Sequence, residues 1–485
     1  MPPAALALAV SAYFLVLLAV AWRTSRGADE QAFFVGSRRS PWPLVAFGMI
    51  GTSLSGVTFV SVPGSVGTGS WHYLQIVLGH VIGYAIVAFV LLPLYYRLNL
   101  TSIYGYLEAR YGPEARATGA VFFLVSRALG ATARLYLVVR ILQDVAFAGL
   151  GLPFWATTLV ILAMIVLYTL EGGVKTIVWT DTLQTAGMLT GLVACTAVLL
   201  GRLELSPLQA LDAMRSAGLA TVFATDVASP AYWLKHLVAG VFIAVAMTGL
   251  DQEMMQKNIS VRTVGGAQLN MIVMSLILLG VVTLFLFLGG ALHLYAQAQG
   301  IAVAGDRLFP AVVTGHLPAL LQLVFVLALI SALFPSADGA LTALTSSTCI
   351  DLMRVPERAG WTDAQRRRTR RLVHLAWAVL FFALVLGFRA LDDPVMVGLI
   401  LKIAAYTYGP LLGLYAFGLL CTRRVRPGWT PWIALASPLL CAALDAAQPL
   451  LFTHYRIGLE ILVINGALTA AGLWLASRPA YTACP

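Results

Sequence analysis

The stretch FGMIGTSLSGVTFVSVPGSVGTGS (47–70) lies in an apolar part of the chain, yet glycine, serine and threonine make up more than half of it. Glycine weakens a helix, and a break in a membrane helix frees backbone carbonyls that can bind a ligand. The stretch therefore predicts a discontinuous membrane helix. Close packing of small residues between neighbouring helices is the alternative explanation.

A weaker break of the same kind is predicted around Thr248 and Gly249, in the segment WLKHLVAGVFIAVAMTGLDQEM (233–254). The two segments are five helices apart, so they cross the membrane in opposite directions. Inverted repeats have this arrangement, each led by a discontinuous helix. The order of the apolar segments thus predicts two five-helix repeats, at 43–200 and 233–421.

The composition excludes a soluble protein. The chain has 485 residues, of which 60% are apolar and 11% charged, and its mean hydropathy is +0.86; soluble chains carry about 25% charged residues. We predict an all-α polytopic membrane protein, a single domain over 1–485, with one extra helix before the repeats and two after them. About thirteen helices are expected, at roughly 3–22, 43–69, 72–96, 117–147, 153–170, 175–200, 233–252, 266–296, 316–350, 372–389, 395–421, 430–451 and 457–477.

Basic residues decide the predicted orientation. The net charge is +10, but the basic residues lie in short clusters between apolar segments. This distribution does not favour nucleic-acid binding. One set of alternate connections holds 21 lysines and arginines, among them Arg26, Arg116 and Lys257, and the other holds 6, among them Arg456. Cytoplasmic loops carry the excess of these residues. The split predicts a multi-pass plasma-membrane protein, in a bacterial inner membrane, with its N-terminus outside and its C-terminus in the cytoplasm.

Charged residues inside predicted spans indicate function, because burying a charge in a bilayer is costly. Asp338 lies in the hydroxyl-rich segment FPSADGALTALTSS (334–347). Carboxylate, hydroxyl and carbonyl oxygens can replace the water around a monovalent cation, and sodium is the natural candidate. The alternative is an ion pair of Asp338 with Lys402, another charged residue within a span. Asp181 is a further intramembrane carboxylate.

Two arginines point to an anionic solute. Arg127 and Arg134 are seven residues apart, which places them on one face of a helix, and neither can lose its proton at physiological pH. They are candidates for holding an anion; alternatively, one pairs with a carboxylate and the other reaches toward the headgroups. The sequence has no catalytic triad, phosphate loop or His/Cys ligand cluster, so we do not expect an enzyme.

Four ordered motifs make the chain resemble the sodium:solute symporter family. They are GTSLSGVTF (51–59), GGVKTIVWTDTLQT (172–185), DQEMMQKNIS (251–260) and SADGALTALTSSTCIDL (336–352). The likeness runs from about residue 30 to 420 and implies a LeuT-type core of five plus five helices. It also implies sodium as the coupling ion and, as partners, a small solute and the lipid bilayer, with the chain a monomer or weak oligomer.

The resemblance implies a main sodium site on two helices. The carbonyls of the broken helix match Gly51 and Leu54, and the positions on the later helix match Ala332, Pro335 and Ser336. Proline lacks the hydroxyl expected at 335, although it also frees the carbonyl of Ser331, one turn earlier. Some members bind a second cation with the aspartate of the WTD motif, here Asp181, and with serine positions that match Asp338 and Gly339.

The substrate positions match the family less well. Polar residues that contact the solute in sugar and sialic acid members match Ser53, Ser55 and Thr58. The next helix has Val77 at its polar position, with Gln75 nearby. Arg127 and Arg134 flank the place of the arginine that binds the sialic acid carboxylate, and Met247 replaces the inner-gate tyrosine of sugar members.

The resulting prediction is a sodium-coupled symporter that moves a small polar organic solute by alternating access. The solute is a sugar, sugar acid, amino acid or carboxylate, and it is anionic if the arginines contact it. One alternative is a proton-coupled symporter with Asp338 or Asp181 as the carrier. Another is a solute sensor or channel on the same scaffold.

Overall fold

The structure is a computed structural model that describes residues 3–25, 33–34, 36–391, 396–451, 455 and 457–479. Arg26 and Arg456, two of the loop arginines counted above, lie outside these ranges. The helices are α1 Pro3–Ser25, α2 Trp42–Ser53, α3 Gly56–Gly69, α4 Tyr73–Arg97, α5 Gly105–Tyr111, α6 Pro113–Leu142, α7 Phe154–Leu170, α8 Gly172–Leu203, α9 Pro207–Ser216, α10 Trp233–Gly249, α11 Gln252–Ile259, α12 Val264–Gln299, α13 Leu308–His316, α14 Ala319–Ser347, α15 Asp363–Leu391, α16 Met396–Leu420, α17 Trp429–Leu451 and α18 Ile461–Leu475.

The all-α polytopic class is confirmed. In the described part of the chain, 9 helices are long and apolar enough to cross a membrane, or up to 11 if each of two bent pairs is one span. Two shorter apolar helices, α7 and α18, coincide with the predicted segments 153–170 and 457–477. The count of thirteen spans and the repeat boundaries stay predictions. The short helices α5, α9 and α13 were not predicted, nor was the antiparallel pair of strands β1 Arg424–Val425 and β2 Ser477–Arg478.

Both predicted breaks are present. The axes of α2 and α3 differ by 55°, and those of α10 and α11 by 65°. The first break is at Leu54 and Ser55, and the second is at Leu250 and Asp251, just beyond the predicted position. The carboxylate of Asp251 caps α11 by accepting a hydrogen bond from the Met254 N–H at 3.1 Å. The motif DQEMMQKNIS therefore begins a second half-helix inside the protein instead of a loop.

Helices α6 and α14 form the buried centre of the fold, whereas α1, α15 and α17 expose most of their apolar residues. Helix α14 packs along α8, where glycines permit close approach: a Cβ at Gly191 would lie 2.2 Å from the Cβ of Ala328. Helix α8 is joined to α7 by a kink at Gly173, whose φ of 52° favours glycine. This packing brings α8 and α14 against the end of α2.

Candidate functional site

A cavity of about 100 Å³ lies between the two broken helices and is also lined by α4, α6 and α16. The structure brings six of the seven predicted substrate residues to its wall: Ser53, Ser55, Thr58, Arg127, Arg134 and Met247. The hydroxyls come from the break between α2 and α3, where the chain leaves the helix. The arginines come from α6, as their seven-residue spacing predicts.

Gln75, the seventh predicted substrate residue, does not line the cavity. It is buried, and neither polar atom of its amide has a hydrogen-bond partner among the described residues. On the same helix, Tyr73, His80 and Tyr84 line the cavity instead. Their spacing of seven and four residues places them on one face of α4. Helical periodicity in the segment 72–96 could have identified this polar aromatic face.

Arg127 is already paired within the protein. Its side chain is 5% exposed and forms an ion pair with Glu253 on α11. Its second guanidinium nitrogen, Nη1, lies 3.7 Å from Asp251 Oδ2, which also accepts a hydrogen bond from the Tyr408 hydroxyl. These carboxylates compensate the charge of Arg127, so this arginine connects α6 to the second break.

Arg134 differs from Arg127 although both lie on the same face. It lines the cavity, and in the described part of the chain no carboxylate lies within ion-pair distance of its guanidinium. An uncompensated charge in a low-dielectric site attracts an anion strongly, because water cannot screen it well. Arg134 is therefore the one of the two arginines whose charge is available to a bound solute.

The two predicted second-site carboxylates have different partners. Asp181 Oδ2 lies 2.7 Å from Lys257 Nζ and 3.2 Å from Thr52 Oγ1. Lys257 was counted as a cytoplasmic loop charge, but its side chain is only 3% exposed, because α11 carries it inward from the break. Its ammonium also donates to Thr52 Oγ1 at 2.7 Å. A positive charge from the protein thus already faces Asp181.

The predicted alternative of an Asp338–Lys402 pair is wrong. Lys402 Nζ lies 3.1 Å from Asp445 Oδ2, and its side chain is 63% exposed. The helical rotation of α16 directs it toward α17, away from the protein centre. Asp338 is fully buried and accepts a hydrogen bond from the Tyr168 hydroxyl at 2.7 Å. Among the described residues, no lysine or arginine lies within 4.0 Å of the Asp338 carboxylate.

The predicted main sodium residues lie on α2, at its end, and on α14, and these two helices pack against each other. Leu54, Ala332 and Ser336 are at most 2% exposed, and a Cβ at Gly51 would lie 3.4 Å from Pro335 Cγ. Ser336 Oγ donates its proton to the Leu333 carbonyl at 2.9 Å, which leaves its lone pairs free to accept.

The two breaks differ in what satisfies their carbonyls. At the second break, the Gly249 carbonyl accepts from the Tyr95 hydroxyl at 2.8 Å and the Leu250 carbonyl from the Tyr104 hydroxyl at 3.1 Å. At the first break, no backbone N–H in the described part of the chain donates to the Leu54 carbonyl. Buried carbonyls are nearly always satisfied. The first break is therefore the one suited to a cation.

Comparisons with known proteins agree with this geometry. Residues 33–430 match the model of the sodium:solute symporter family. The chain is 29% identical to the human sodium/iodide cotransporter over 51% of its length and 39% of that protein. It is 26% identical to human sodium-coupled monocarboxylate transporter 1 over 80% of its length and 64% of that protein. Each of these matches thus spans less than two thirds of the relative's length.

A sodium/sialic acid symporter of Proteus mirabilis is 22% identical over 94% of this chain and 92% of its own length. A solved structure of a Na⁺-coupled sialic acid symporter in a substrate-bound outward-open state has a TM-score of 0.83 at 17% identity, covering 98% of this chain and 99% of that one. A solved structure of a nucleobase-cation-symport-1 family transporter has a TM-score of 0.59 at 13% identity. These likenesses show the fold and confirm the predicted LeuT-type architecture. The relatives are named as transporters, in line with a function other than catalysis.

Proposed function

Because the chain belongs to the sodium:solute symporter family, we propose that it couples sodium entry to the uptake of a small organic anion by alternating access. The observation that carries the choice of an anion is Arg134, a charged side chain at the cavity wall without a carboxylate partner among the described residues. A carboxylate on the solute would supply the missing countercharge and would accept two parallel hydrogen bonds from the guanidinium in a bidentate pair.

The size of the cavity favours a compact solute. Its volume of about 100 Å³ is below the roughly 300 Å³ at which sites for drug-sized ligands begin. The hydroxyls of Ser53, Ser55 and Thr58 offer donors and acceptors to the solute, and Ile400 and Met247 supply apolar contacts. A monocarboxylate with a few additional polar atoms fits this wall. Relatives named as monocarboxylate transporters support the same class.

Sodium would bind between α2 and α14, through the carbonyls of Gly51, Leu54 and Ala332 and the hydroxyl of Ser336. A cation there fastens the end of the broken helix to α14, and this favours the conformation in which the cavity accepts solute. The inward sodium gradient then drives uptake. One elementary charge that crosses 100 mV supplies about 2.3 kcal/mol, but this electrical contribution cancels when one sodium moves with one monovalent anion.

We place the ammonium of Lys257 where a second cation would otherwise bind beside Asp181. The 2.7 Å contact between Nζ and Oδ2 supports this placement. A Cβ at Gly339 would lie 2.3 Å from Glu253 Oε1 and 3.0 Å from the same nitrogen. A serine at 339 would therefore collide with the Glu253 carboxylate and crowd the ammonium beside it. The proposed ratio is accordingly one sodium for each solute.

The proposed orientation has the N-terminus outside and the C-terminus in the cytoplasm of a bacterial inner membrane. Two of the basic residues counted on the cytoplasmic side, Lys257 and Arg116, are buried in ion pairs. Their removal from the count leaves the excess on the same side, because the large tuft of arginines at 354–371 remains.

Proton coupling is the rival that one observation favours. Asp338 is buried, and Tyr168 is its hydrogen-bonding side chain. Among the described residues no lysine or arginine lies within 4.0 Å of this carboxylate, and a buried carboxyl group without a contacting cation can hold and release a proton. Uptake that depends on pH and persists when potassium replaces sodium would identify this mechanism.

The test is uptake of labelled monocarboxylates, sugar acids, sugars and amino acids into proteoliposomes, with an inward gradient of sodium or of potassium at equal ionic strength. We expect uptake of a carboxylate only with sodium, and its loss in Arg134→Gln. The matched control is Arg202→Gln, an exposed arginine at the end of α8. Equal uptake in both salts, or a neutral solute as the preferred substrate, would contradict the proposal.

A further inference from the structure

The end of α2 meets α8 and α14 at one point, Gly51. A Cβ built on Gly51 would lie 2.4 Å from Thr185 Oγ1 and 3.4 Å from Pro335 Cγ. A side chain at position 51 would collide with this hydroxyl, so glycine is what allows it to approach the backbone. Thr185 Oγ1 therefore sits against the turn that is expected to contribute carbonyls to sodium.

The Thr185 hydroxyl is buried, and in the described structure it has no hydrogen-bond partner. Threonines in helices commonly donate to the carbonyl four residues earlier. On the same helix, Thr182 Oγ1 donates to the Val178 carbonyl and Thr190 Oγ1 to the Ala186 carbonyl, each at 2.8 Å. Thr185 does not share this arrangement, although buried hydroxyls are nearly always satisfied.

Pro335 lies on the other side of the same point and carries no hydroxyl, where the resemblance to the family leads one to expect one. We propose that the Thr185 hydroxyl supplies the sodium ligand that Pro335 cannot. The inference rests on the proposed sodium site and adds a third helix, α8, to it.

Oxygens with free lone pairs lie on each of the three helices that meet here. They are the Leu54 carbonyl at the end of α2, Ser336 Oγ on α14, and Asp181 Oδ1 one turn before Thr185 on α8, whose other oxygen pairs with Lys257. Sodium binds through oxygen lone pairs, which each of these atoms offers. A sodium ion held here would fasten the broken helix to both α8 and α14.

The experiment measures the melting temperature of the purified protein while NaCl replaces KCl at constant ionic strength, and extracts the sodium concentration of half-maximal stabilisation. Thr185→Val removes the hydroxyl at almost constant side-chain volume. We expect it to raise the sodium concentration of half-maximal stabilisation at least tenfold. Thr185→Ser keeps the hydroxyl, and its value should stay within threefold of the wild type. The matched control on α8 is Thr190→Val, which is exposed and should leave the value unchanged.

Pro335→Ser gives an independent measurement if Thr185→Val does not fold. In the wild-type background it should tighten sodium binding by no more than about threefold, because the ligand is already supplied. In the Thr185→Val background it should restore the wild-type value. If Pro335→Ser tightens sodium binding tenfold in the wild-type background, the wild-type site lacks a ligand, and this overturns the inference.

A second result would also overturn the inference. In this result, Thr185→Val leaves the sodium concentration of half-maximal stabilisation within twofold of the wild type, while Ser336→Ala raises it. This would leave the proposed sodium site standing without Thr185. If sodium and potassium stabilise the wild type equally, the proposed sodium coupling itself fails. The two failures are therefore distinguishable.

Discussion

Arg127 and Arg134 occupy the same face of α6, yet replacing each with glutamine should change the stability of the protein in opposite directions. Arg127 pairs with Glu253, both almost fully buried. Breaking a buried ion pair from one side costs about 3–5 kcal/mol, and Lys257 Nζ, 3.5 Å from Glu253 Oε1, would compensate part of the carboxylate charge that remains. Arg134 has no carboxylate partner in the described structure. Its removal relieves an unsatisfied charge, so the ligand-free protein should become more stable by about 1–3 kcal/mol.

Solute binding should respond to Arg134→Gln in the reverse sense. Removing one partner of a buried, hydrogen-bonded charge pair weakens binding by about 2–5 kcal/mol, which corresponds to roughly 30-fold to several-thousand-fold in Kd. Arg134→Lys keeps the charge but loses the planar fork, so its affinity should lie between those of the wild type and Arg134→Gln.

The assay is denaturation of the detergent-purified variants with and without a saturating carboxylate in sodium buffer. The expected signature for Arg134→Gln is a higher midpoint without solute and a smaller shift with it. Arg127→Gln should lower the midpoint in both conditions. If Arg134→Gln destabilises the ligand-free protein as much as Arg127→Gln does, Arg134 has a countercharge within the protein and the argument for an anionic solute fails.

Three further predictions concern the cations. Ser336→Ala should raise the sodium concentration that half-saturates uptake by about tenfold, since one hydrogen-bonding oxygen is worth about 1–1.5 kcal/mol; an unchanged value would place sodium elsewhere. Lys257→Met should destabilise the protein by about 3–5 kcal/mol, and Lys257→Met with Asp181→Asn should recover much of this loss; strictly additive losses in thermal denaturation would contradict the ion pair as the cause. Transport of a monovalent anion with one sodium moves no net charge, so the initial rate of uptake into proteoliposomes should not change when a potassium diffusion potential, inside negative, is imposed with valinomycin; faster uptake at that potential would show that more than one cation crosses.

Much of the candidate site was predictable because its determinants are local. The break at 54–55 follows from the density of glycine and hydroxyl residues, and the shared face of Arg127 and Arg134 follows from their spacing. Gln75 was expected at the cavity and is absent from its wall, because it lies two residues from Tyr73 and therefore on the opposite face of α4. Tyr73, His80 and Tyr84 occupy the face that lines the cavity.

The sequence by itself thus determined the membrane class, the order of the helices, the two discontinuous segments and the residues with charges or hydroxyls within the membrane. Only the tertiary structure decided how the charges pair: Lys257 with Asp181, Arg127 with Glu253, and Lys402 with Asp445 instead of Asp338. Composition and helical periodicity involve residues within one or two helical turns of each other, so they can be recognised from the sequence alone. Pairing depends on the rotation and depth of helices that are distant in sequence, and a few ångströms decide whether a buried charge meets a carboxylate or is left for a ligand.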